Sequence, residues 1–120
     1  MSTDTGMGDI GAILTHVRSV PPADVQPTVD ARSWRLFELP SGDQHVAVYK
    51  NGVARVSSKI LSIDFGGRTL KTSSGRTYTL YGPPEGDPLV RRALAAAAVS
   101  LLEADDCQDT SLAAWQRMPD

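Results

Sequence analysis

The sequence predicts an α+β domain: an antiparallel meander of four or five strands with a C-terminal helix packed on one face and a short N-terminal helix. Three observations carry this. From Gln44 to Tyr81, β-rich runs alternate with turn signals. Asn51-Gly52 lies between two of those runs, and a type I′ hairpin needs two residues that tolerate positive φ. Leu89 to Ala104 is alanine-rich and follows Asp87-Pro88, an N-cap with proline in the first turn.

The chain has 120 residues, with 22% charged and 41% hydrophobic, which fits one ordinary domain over 1–120. Residues 1–8 and 20–32 are read as flexible or extended, the second stretch being a proline-bearing linker. Between them Asp9 caps a helix over Ile10 to Ser19, with Ile10, Ile13, Leu14 and Val17 on one face.

Ser33 to Pro40 is the first strand. Trp34 and Leu36 point one way, Arg35, Phe37 and Leu39 the other, so both faces are partly apolar. Either the N-terminal helix covers the outer side or a partner does, and homodimerisation through 33–40 would serve the same end. Pro40 to Asp43 turns the chain into Gln44 to Lys50. The Asn51-Gly52 hairpin then sets Tyr49 across from Ala54 and Ala47 across from Val56.

The run Val53 to Phe65 changes apolar parity. Ala54, Val56 and Ile60 are even, whereas Leu61, Ile63 and Phe65 are odd. A bulge or bend between Ser57 and Leu61 restores one face, and this is the preferred reading; the alternative is two strands meeting at a corner. A turn at Gly66-Gly67 pairs Ile63 with Leu70. A three-residue turn, Ser73-Ser74-Gly75 with left-handed Gly75, pairs Leu70 with Tyr78. Thr69, Lys71, Thr77, Thr79 and Tyr81 then share a polar face. Val90, Leu94, Ala97, Ala98 and Leu101 form the helix stripe. Asp109 or Ser111 caps a last helix, Leu112 to Arg117, presenting Trp115.

Net charge is −2, so there is no global attraction to nucleic acid or anionic lipid. Charge is nevertheless polarised. Residues 33–81 hold seven Lys and Arg against three acids, and residues 82–120 hold three against seven. Arg55, Lys59, Arg68, Lys71 and Arg76 are therefore candidate partner-binding residues, for an acidic protein surface or for phosphate. Exposed strands also use such side chains to blunt edge pairing. Single-strand nucleic-acid recognition stacks bases on aromatics, and Tyr81 is the one aromatic on the polar face. Trp34, Phe37 and Tyr81 join the candidates because aromatic side chains anchor protein interfaces.

Catalytic and cofactor signals are weak. Gly6, Gly8 and Gly11 match G-x-G-x-x-G, but no strand precedes them. His16 and His45 have no ligand spacing, so neither a metal nor another cofactor is expected. Cys107 lies in the acidic run ADDCQD, which suppresses its thiolate, and Asp105-Asp106 is a carboxylate pair in sequence alone. No G-x-S-x-G elbow occurs. The single cysteine, the lack of a signal-like N-terminus and the lack of an apolar run of ~20 residues point to a cytoplasmic protein without a membrane span. A non-enzymatic binding protein is the leading expectation; a nucleic-acid-binding accessory protein using the basic sheet face is the alternative.

Thr72 to Leu80, TSSGRTYTL, following SKILSIDF, resembles a hairpin of small accessory proteins from phages and other mobile elements. The likeness covers about a third of the chain and extends to overall size and to the helix after the hairpin. It implies a protein that binds a host macromolecule, such as an inhibitor of a bacterial defence complex of the anti-CRISPR type. No functional residue is carried over from it.

Overall fold

The two residues between Lys50 and Val53 adopt the conformation that their side chains allow: Asn51 has φ 54° and Gly52 φ 76°. From this hairpin the architecture extends in both directions. The computed structural model describes residues 28–103 and 106–119. Its strands are β1 (Thr28–Ala31), β2 (Trp34–Glu38), β3 (Gln44–Lys50), β4 (Val53–Val56), β5 (Ile60–Asp64), β6 (Thr69–Thr72), β7 (Thr77–Leu80) and β8 (Gln108–Asp109). Its helices are α1 (Pro88–Leu102) and α2 (Ser111–Gln116).

The α+β class holds, but the strands do not form one meander. They divide into sheet I, ordered β1-β7-β6-β5, and sheet II, ordered β4-β3-β2-β8. Pairing is antiparallel except for β1 on β7, which run parallel. Thr28–Ala31, part of the stretch read as a linker, is thus a strand. The helix read over Ile10 to Ser19, the glycines Gly6, Gly8 and Gly11, and His16 lie outside the described residues.

The registers follow the sequence expectations. Tyr49 faces Ala54, Ala47 faces Val56, Ile63 faces Leu70 and Leu70 faces Tyr78. Gly75 has φ 92° in the three-residue turn. The preferred bend in 53–65 is replaced by the corner: β4 and β5 belong to different sheets. Ser57 makes the corner. Its hydroxyl accepts the Val46 N–H at 3.0 Å and donates to the Ser58 carbonyl at 2.7 Å. The side chain thereby takes the next rung of the ladder while the backbone turns away. His45 Nδ1 lies 2.8 Å from the Ser57 carbonyl, an acceptor, so Nδ1 carries the proton. A bulge also remains between Ile60 and Ser62.

Two cores flank sheet II. Between the sheets pack Trp34, Leu36, Val46, Val48, Leu70, Tyr78 and Leu80, with Ala114 and Met118 below. On the other side Phe37, Ala47, Ala54 and Val56 meet Leu94, Ala97 and Ala98 of α1. Alanine on both partners lets helix and sheet approach closely, since neither carries bulk at the contact. Asp87 Oδ1 caps α1 by accepting from Leu89 N and Val90 N. Leu101, assigned to the buried stripe, is exposed, and Leu102 packs inward instead.

Both faces of β2 are therefore covered within the chain, and its edges pair with β3 and β8. On the apolar outer side of 33–40, Phe37 packs against α1, so a helix of the chain covers that side where the N-terminal helix or a partner was expected. Arg35 is buried on this side and satisfied. Its Nε and Nη2 donate to the Glu85 carbonyl at 2.9 and 2.7 Å, and its Nη1 pairs with Asp109 at 3.3 Å. No helix among the described residues is long and apolar enough to cross a membrane.

Candidate functional site

The corner at Ser57 and the bulge after Ile60 together place β5 at the end of sheet I. There it pairs with β6 and, among the described residues, with no other strand. Beside it α2 is pinned to β2: Ser111 Oγ accepts the Leu36 N–H at 2.8 Å, and Thr110 N donates to the Leu36 carbonyl at 3.0 Å. A groove of about 450 Å³ runs between them. Its walls are Ile60, Leu61, Ile63 and Phe65 of the β5 region and Ala113 and Ala114 of α2. Glu38, Gln44, Ser62, Thr110 and Arg117 supply its polar groups.

Leu61 is the extra residue of the bulge, opposite no partner in β6, and it is 64% exposed. Leu112 of α2 is also exposed, at 60%. A bulge commonly bends an edge strand away from pairing, and here it also presents an apolar side chain at the mouth of the groove. The Arg117 guanidinium lies 3.9 Å over the Phe65 ring. Glu38 accepts from the Gln44 side-chain amide at 3.4 Å. Thr110 Oγ1 is buried with no hydrogen-bond partner among the described residues.

The residues singled out from the sequence are dispersed rather than gathered. Trp34 and Phe37 are core: Trp34 is fully buried, donates its Nε1 hydrogen to the Gly82 carbonyl at 3.1 Å and lies 6.2 Å from Trp115, while Phe37 is 4% exposed. Arg76 is 2% exposed and hydrogen-bonded to Tyr78. Arg55 pairs with Val48 on the inter-sheet side, where its charge also acts on Tyr78. Arg68, at φ 55°, lies 4.8 Å over Trp115 and donates to the Pro119 carbonyl. Lys59 is exposed at the corner, and Lys71 is exposed on the outer face of sheet I. Tyr81 is half-exposed, with the Arg32 guanidinium 4.7 Å over its ring.

That outer face is a polar grid. One row reads Thr28, Thr77, Lys71, Ser62 and the next Asp30, Thr79, Thr69, Asp64. With two acids and one base it is not a basic surface, and the five basic candidates do not converge. No cluster of three or more His, Cys, Asp and Glu among the described residues is placed to hold a metal. A more open hollow near the start of α1 is lined by Phe37, Arg91, Arg92, Ala95, Cys107 and Asp109.

The groove residues Glu38, Leu61, Phe65, Thr110 and Arg117 were not singled out from the sequence. The parity change at Ile60-Leu61 was the available signal, because an extra residue in one strand puts a side chain on the wrong face. Compared with known protein families, curated proteins and solved structures, the chain finds no match.

Proposed function

We propose that the protein is a small non-enzymatic binding protein. It docks another protein through the groove between β5 and α2 and acts by steric occlusion. The observation that carries this reading is Leu61, an apolar side chain raised by a bulge in β5, which among the described residues pairs with β6 alone. An extended segment adding to such an edge gains main-chain hydrogen bonds, and the adjoining groove supplies side-chain selectivity. The most concrete version is a mobile-element inhibitor of a bacterial defence complex, of the anti-CRISPR kind, which the resemblance of the Thr72–Leu80 hairpin supports.

Site-specific photo-crosslinking in host-cell extract tests this. A photoreactive residue replaces Leu61 in one variant and Thr79, on the outer face of sheet I, in another. The expected result is an adduct with one discrete protein from position 61 and none from 79. Adducts from 79 alone, adducts with nucleic acid, or none from either position would overturn the reading.

A further inference from the structure

The groove contains a carboxylate that no described residue pairs with as an ion. Glu38 is half-buried and accepts from the Gln44 side-chain amide at 3.4 Å. The ion pair Arg35–Asp109 lies elsewhere in sheet II. The cation nearest in kind, Arg117 on the same groove, is stacked on Phe65 instead. A partly desolvated carboxylate gains more from an incoming cation than a hydrated one does, because charge-assisted bonds strengthen as water is displaced. Ile60, Ile63 and Ala113 supply apolar wall in the same groove. An alkyl stem ending in a cation matches both features, with the methylenes on the apolar wall and the head at the carboxylate.

We propose that the groove receives a lysine or arginine side chain carried by an extended segment of the partner protein, with that segment lying along β5. This rests on the reading of the groove as a protein-docking site. At Glu38 charge selects the occupant: an acidic side chain would meet like charge, and a purely apolar one would leave the carboxylate covered and unpaired, while Arg117 on the same groove is engaged by Phe65.

Three acetylated extended heptapeptides of alternating valine and threonine test the proposal, differing at the central residue: lysine, norleucine or glutamate. Each is titrated into the isotope-labelled full chain while backbone amide shifts are followed. The expected result is that shifts concentrate on residues 60–64 and that lysine binds about tenfold tighter than norleucine, the scale of one hydrogen bond to a charged group. Glu38→Gln should bring lysine and norleucine to similar affinity, while shifts that persist at 60–64 show that the groove stays folded. Equal affinity for lysine and norleucine, or tightest binding of glutamate, would overturn the basic-residue proposal and leave the docking site standing. No shift at 60–64 with any peptide would overturn both. Amide shifts at 60–64 that grow with protein concentration alone would assign the groove to a second copy of the chain and overturn the proposal.

Discussion

Tyr78 is the residue whose surroundings most clearly alter its chemistry. It sits at 3% exposure between the sheets, and burial raises its phenol above the ordinary 10.0. The Arg76 hydrogen bond, followed by the charges of Arg76 and Arg55, offsets part of that rise. The sign for stability follows. Below pH 10 the phenol is protonated in both states. Above it the unfolded chain loses the proton first, so stability falls as pH climbs from 10 through the raised value. Urea unfolding from pH 8 upward should show this decline, and Tyr78→Phe should reduce its slope. An unchanged slope would contradict a buried Tyr78. The inward placement of Arg76 was legible, since it shares the parity of Tyr78 across a strand. That of Arg55 was not. It faces away from Ala54 and Val56, which is outward in a single sheet and inward once a second sheet covers that side.

Among the elements, the corner between β4 and β5 decides the rest. Turn chemistry set the registers at Asn51-Gly52 and Gly75 correctly because glycine and asparagine at positive φ leave few alternatives, whereas in the turn at 65–68 the positive φ falls on Arg68. The corner depends on a serine side chain replacing a backbone acceptor. That contact joins Ser57 to Val46, eleven residues apart, and no local pattern specifies it. Thr28–Ala31 was missed for a related reason: a four-residue parallel edge strand has too few residues to show a period, and its partner lies about fifty residues further on. Ser57→Ala would strip the Val46 N–H of its acceptor inside the protein. The expected loss is about 1–3 kcal/mol by urea unfolding, the cost of a buried donor left unsatisfied. A loss under about 0.3 kcal/mol would mean that the corner is held by something else, such as the Lys59 carbonyl accepting from Ser73 N at 2.8 Å.

At the scale of the molecule, sheet II is enclosed on both faces, by sheet I and by α1. Among the surfaces open to a partner are the polar outer grid of sheet I and the β5 groove. They differ in chemistry, one a mixed polar array and the other a cleft with apolar walls, a carboxylate and an arginine, so a partner distinguishes between them. Aromatic and basic residues are sound guides to interfaces when exposed. Here Trp34, Phe37 and Arg76 were absorbed by a second sheet and a covering helix that the single-meander reading did not contain. The most direct measurement is calorimetric affinity of the cross-linked partner for two surface variants, Leu61→Asp and Lys71→Glu. Both side chains are exposed, so each change should leave stability within about 0.5 kcal/mol. The expected result is a loss of about a hundredfold or more for Leu61→Asp, a hot-spot effect, and a change under about twofold for Lys71→Glu. The reverse order would place the partner on the outer face of sheet I and contradict the docking groove.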